Sequence, residues 1–313
     1  NSFKISVKTV PIRSSHPTPK NNNTVPYMLG FSLFTWLGFP KKLTAEDELI
    51  HTIKHCIVFI QRTDYEKAEQ LLHIALRQAQ QIHHELGITY VYDVMANLAL
   101  EREQLGKAKN LFVNVAQRIM ADGATEDDPR MIHISVKLAR ISHLQKDYST
   151  AQLGYDWCLE KLKMMIIKDP SEDNKKLLAL SEDWYGRLFL DHNQCEQGVK
   201  LMVSALNHMK EVLDLEQEHI VYQLNDIGTV YDRLGQADES IKYFQEAIKL
   251  GNTIQSEDLG TMYVNLGRAY LKKQLIEEAR KNCGRGWKLG VINKSKEVKA
   301  EAELCLQEIK SLS

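Results

Sequence analysis

A pattern of helical positions returns about every forty residues, and it restricts what this chain can fold into. The clearest copy is Leu224, Ile227, Gly228 and Tyr231 on one helix, then Ser240, Phe244 and Ala247 on the next. So short a unit cannot bury its apolar face alone; stacked neighbours bury it together. The expected fold is all-α: a solenoid of helical hairpins, about six repeats with a C-terminal capping helix.

The frame is anchored by the small residue at the start of each second helix: Ala68, Ala108, Ala151, Gly198, Ser240 and Ala279, at spacings of 40, 43, 47, 42 and 39. Four and seven residues on come Leu72/Ala75, Phe112/Val115, Tyr155/Cys158, Met202/Ala205, Phe244/Ala247 and Cys283/Gly286. Those offsets keep one helical face. Polar turns separate the helices, and Lys168 to Asn174 reads as the longest polar insertion. The last helix, from Lys296 to Leu312, has no partner in this frame. Thr44, with Asp47 three residues on, reads as the N-cap of the first helix.

With 26% charged and 43% hydrophobic residues among 313, the chain has ample material for a core. A formal net charge of −1 argues against a nucleic-acid binder. The charge is unevenly placed. Residues 1–45 hold six of the 40 Lys and Arg and none of the 41 acids, so the remainder is net −7. Residues 1–26, rich in Pro and lacking helical period, are expected to be a disordered basic arm. That composition also fits a mitochondrial transit peptide. Residues 27–40 form a short apolar segment with Phe31, Leu33, Phe34, Trp36, Leu37 and Phe39. Two readings fit it: contact with a membrane, or a hydrophobic cap on the first repeat. The solenoid is expected over 44–313.

Catalytic patterns are missing. No phosphate loop is present, and the Gly284/Gly286 pair falls inside a helix. His51 and His55, at i and i+4, have no third ligand in sequence reach and read as helix-surface residues. The five Cys are scattered without a CxxC pair, which predicts reduced thiols that pack helices. No catalytic residue, metal or cofactor is expected.

The spacing of small, aromatic and Ala positions resembles the tetratricopeptide repeat family. Here the unit is longer than the usual ~34 residues, through longer helices or longer loops. The resemblance implies that first helices line a groove that holds an extended segment of a partner. Its polar and aromatic positions would include Tyr90, Asn97, Arg140, Arg187, Tyr222, Asn225 and Arg268. Asn carboxamides can pair with a peptide backbone, and Arg can fork onto a carboxylate. The first unit would turn Ile50, Ile53, Ile57 and Ile60 inward, too apolar for open water, so something should cover them.

Two stretches narrow the resemblance to a mitochondrial branch of the family. One is Leu29 to Phe39 joined to the helix from Tyr65 to Arg77; the other is Ile88 to Ala99. That branch implies a protein at the mitochondrial inner membrane, on the matrix side. Its implied partners are subunits of respiratory complex III, including the Rieske iron–sulfur protein or its fragments. Its role would be to assemble and maintain that complex and help clear Rieske processing fragments. The alternative is a soluble cytosolic cargo- or peptide-binding adapter, since the long units also resemble kinesin light chain repeats.

Overall fold

The computed structural model describes residues 44–312. The expected basic arm and apolar segment lie outside the described residues. Thirteen α-helices make up the described residues. In chain order they are α1 (Ala45–Gln61), α2 (Tyr65–Gln81), α3 (Glu85–Glu101), α4 (Leu105–Ala121), α5 (Pro129–Leu144), α6 (Tyr148–Lys168), α7 (Glu172–Asp191), α8 (Cys195–Glu211), α9 (Gln217–Arg233), α10 (Ala237–Ile254), α11 (Leu259–Lys272), α12 (Ile276–Ile292) and α13 (Lys296–Leu312). Among the described residues, no helix is long and apolar enough to cross a membrane.

Helix length explains the long repeat. Most helices have 17 residues, and turns of three residues join them. Two such helices with two such turns complete the forty-residue period. The connection 169–171, with Pro170 at its middle, stands apart; the other eight three-residue turns share one construction. Their middle residue is left-handed: Thr63, His83, Glu103, Lys146, Asn193, Gly235, Gln274 and Lys294, with φ from 52° to 73°. The next N–H reaches back across the turn, as Asp64 N does to Phe59 O (2.9 Å) and Gln194 N to Phe189 O (2.8 Å). This arrangement ends a helix sharply and satisfies carbonyls that would otherwise lack donors. Only Gly235 occupies that position without the steric cost of a side chain.

Thr44 caps α1 in a reciprocal box with Asp47. Asp128 and Asp147 cap α5 and α6, and Pro129 pre-sets the first turn of α5. The expected long insertion after Lys168 is absent, because α6 and α7 extend into it and leave three residues between them. The longer connection runs from 122 to 128, before α5.

The chain divides into two compact units at Ile119/Met120, in the last turn of α4. In the first unit, α2 packs against both α1 and α3. Its core joins Leu49, Ile53, Cys56 and Ile60 to Leu72, Ala75, Val91 and Val94. Ile53 and Ile60, expected in the groove, thus belong to the hairpin core; Ile57 packs against it and Ile50 is half-buried. The four Ile span about 80° of one helical face, and that face is turned into the hairpin rather than outward: Ile53 and Ile60 lie on its core side beside Leu49 and Cys56, while Ile50 and Ile57 lie at its edge.

In the second unit each helix from α5 to α13 packs on the next. First helices of neighbouring hairpins also touch, α5 with α7, α9 with α11 and α11 with α13, so they form the inner side. The small frame residues are buried throughout. At Gly228 a Cβ would come within 2.7 Å of the Phe244 ring. At Gly198 a Cβ would come within 2.8 Å of Gly186 O.

The cysteine expectation is corrected in part. Cys56, Cys158 and Cys195 are free and buried, but Cys283 and Cys305 form a disulfide between α12 and α13. The last helix is therefore no loose cap: Ala302, Cys305 and Ile309 are buried. Burial pushes the Cys56 thiol up to about 11 and that of Cys158 up to about 12, so neither is a nucleophile near neutrality.

Candidate partner-binding face

The first helices carry the residues expected to line a groove, and most already have partners within the chain. In the first unit, Asn97 Nδ2 donates to Asp93 O (2.7 Å) and to Asp93 Oδ2 (3.1 Å). The two residues sit at i and i+4 on α3, so the carboxamide is held against its own helix. Tyr90 is half-buried one turn earlier.

In the second unit the inner side is a ladder of polar contacts between first helices. On α5, Arg140 is buried; its guanidinium lies 3.0 Å from His143 Nδ1 and 5.6 Å from the ring centre of Trp184. His143 Nε2 lies 2.9 Å from Asp191 Oδ2. Arg cannot accept, so Nδ1 accepts from Arg140 and Nε2 carries the proton donated to Asp191. Burial pulls the His143 pKa below its ordinary value despite Asp191. Lys137 and, secondarily, burial hold that of His133 well below.

Arg187 on α7 makes the next rung. Its Nε donates to Asp183 Oδ2 (2.9 Å) and its terminal nitrogen to Asp226 Oδ2 on α9 (2.8 Å). Asp183 is wholly buried, and its Oδ1 has no hydrogen-bond partner among the described residues. Burial opposes the Arg187 charge, but the two carboxylates outweigh it and raise its pKa. The carboxyl of Asp226 is raised, because burial exceeds what Arg187 returns.

Further along, Asn265 Nδ2 on α11 donates to Asn225 Oδ1 on α9 (3.0 Å). Tyr222 donates to Glu218 (3.1 Å). Arg268 bonds Glu301 on α13 (2.7 Å). Arg187 and Arg268 are thus compensated by carboxylates of the chain, and Arg140 is held by His143 and the Trp184 ring; the carboxamides carry both donors and acceptors that a peptide backbone can use. Sequence reasoning placed Arg187 and Asn225 on this face but missed their partners Asp226 and Asn265. Asp226 follows Arg187 by 39 residues and Asn265 follows Asn225 by 40, one repeat each; that recurrence was the available signal.

His51 and His55 lie exposed on α1 with ring centres 4.4 Å apart. Among the described residues, no group of three or more His, Cys, Asp or Glu could hold a metal.

A tetratricopeptide repeat model matches residues 224–250, from mid-α9 into α10. The tetratricopeptide repeat protein 19 homolog, mitochondrial, of Drosophila melanogaster is 38% identical over 273 residues, covering 87% of this chain and 74% of that protein. Tetratricopeptide repeat protein 19, mitochondrial, of Homo sapiens is 33% identical over 221 residues, covering 67% of this chain and 58% of the human protein. The crystal structure of the apo form of RapI superimposes with a TM-score of 0.61 at 13% identity, over 82% of this chain and 80% of that one. That likeness concerns fold alone.

Proposed function

Because the chain belongs to the tetratricopeptide repeat protein 19 family, we propose that it is a non-catalytic binding solenoid of the mitochondrial inner membrane, on the matrix side. The observation that carries this reading is 38% identity over 87% of the chain to a relative named mitochondrial. Its partners are subunits of respiratory complex III, including the Rieske iron–sulfur protein or fragments of it. Its role is to assemble and maintain that complex and help clear those fragments. The inner faces of the units receive extended segments, with Tyr90, Asn97, Tyr222 and Asn225 as direct contacts. Arg140, Arg187 and Arg268 hold the face in shape and set its charge. Membrane contact falls to Phe31, Leu33, Phe34, Trp36, Leu37 and Phe39.

The test is isolation of the native protein from detergent-solubilised mitochondria, with identification of what accompanies it. Complex III subunits are expected with the unaltered chain and reduced severalfold with Tyr90→Ala, Asn225→Ala. The double variant should retain native helical content. Recovery in the cytosolic supernatant, or a mitochondrial isolate free of complex III subunits, overturns the proposal.

A further inference from the structure

The outward face of α6 is apolar where a solvated helix should be polar. Ala151, Tyr155, Cys158 and Leu162 form its buried face. On the opposite side Leu153 is 72% exposed, Met164 53% and Ile167 84%. Trp157 is half-buried among them, with Lys161 Nζ 5.6 Å from its ring centre. Positions 153, 157, 160, 164 and 167 alternate by four and three, the spacing of a coiled-coil seam. At 100° per residue they span about 80° of the helix surface. Glu160 is the polar member. The exposed face of α10, with Asp238, Lys242, Gln245, Lys249 and Asn252, shows what a solvated face of the same unit looks like.

We propose that this seam is where a second copy of the chain docks, with the two α6 helices antiparallel about a twofold axis. The flanking charges select this occupant. Asp156 and Lys163 directly precede seam positions 157 and 164, so they share one flank. In an antiparallel pair like flanks meet, so each Asp156 faces the other copy's Lys163, giving two ion pairs by symmetry. The other flank carries Lys161 and Lys168. Lys161 is drawn away by Glu126 (2.9 Å) and Asp127 (2.7 Å), which also compensate its charge. A parallel pair would instead set Lys163 beside Lys168. Glu160 at the centre disfavours burial in lipid hydrocarbon; about the twofold the two Glu160 side chains approach one another, a like-charge contact that keeps the pair weak. One seam on a 21-residue helix is smaller than a standard interface, so the dimer is weak and forms in the micromolar range.

Sedimentation velocity of the full chain, from about 1 to about 200 µM, should show a monomer passing to a dimer. Leu153→Asp with Ile167→Asp should abolish the dimer. Lys163→Glu and Asp156→Lys should each weaken it about tenfold alone, and an equimolar mixture of the two should restore it, since opposite charges then face each other. Asp156 also accepts the Tyr185 hydroxyl (2.7 Å), so a second route avoids altering it. Leu153→Cys and Ile167→Cys chains should cross-link through a short bismaleimide when mixed, but not separately. A chain monomeric throughout, a dimer indifferent to Leu153 and Ile167, or cross-linking of each Cys variant with itself overturns the proposal. So does a monomer that binds phosphatidylcholine/phosphatidylserine vesicles through this face.

Discussion

Arg187 holds two carboxylates that would otherwise stand uncompensated at the inner side of the second unit. Asp183 is wholly buried and Asp226 partly so, and their only described cationic partner is this guanidinium. Removing one member of a buried ion pair costs more than the pair contributes, because a charge is left without compensation. Arg187→Met is therefore expected to lower unfolding free energy by roughly 3–5 kcal/mol at pH 7, as read from urea denaturation. The deficit should shrink on acidification, as the Asp226 carboxyl, already raised by burial, takes up a proton. A pH-independent deficit would show that packing, not charge, is what Arg187 supplies. Part of this site is legible from local spacing, since Asp183 and Arg187 stand at i and i+4. Asp226 is not, because it reaches Arg187 only once successive hairpins are stacked at the correct pitch.

The helices themselves were readable, because their periodicity is set by burial of one face. Frame residues from Ala68 to Ala279 are all buried, and the 17-residue helices account for the unit length. Illegible from that periodicity were features that depend on two elements meeting. Cys283 fills a frame position and reads as a packing residue; Cys305 sits on a helix outside the frame. Only the stacking of α13 on α12 brings the two sulfurs together. Their bond closes a loop of about 22 residues, for which chain-entropy arguments give about 3 kcal/mol. Among the described helices α13 packs chiefly on α12 and α11, so the effect should be local. Cys305→Ser is expected to speed amide hydrogen exchange across α13 and the end of α12, while α9 and α10 keep their protection. Peptide mapping without reductant should recover the Cys283–Cys305 link in the unaltered chain. Uniform loss of protection across the second unit would contradict this local role.

At the scale of the molecule, titration couples several of these groups to stability. His133, His143 and His219 all have depressed pKa values in the second unit: His133 through Lys137 and then burial, the other two chiefly through burial. In the folded chain they stay neutral below the pH at which an unfolded histidine protonates, near 6.5. Between pH 7.5 and 5.5 the unfolded state therefore binds more protons, and stability falls as pH falls. At pH 5.5, one unit below that value, each such group can remove at most about 1.4 kcal/mol. Asp226 acts in the opposite sense: its raised carboxyl takes up a proton in the folded state first, which flattens the loss at lower pH. Thermal melts across this range should show the midpoint falling with acidity. His143→Asn should reduce the slope, because an amide keeps a hydrogen-bonding group beside Arg140 without titrating. His51→Asn, on the exposed face of α1, should leave the slope unchanged. Equal slopes for all three proteins would mean that the acid sensitivity arises from the carboxylates rather than from the buried imidazoles.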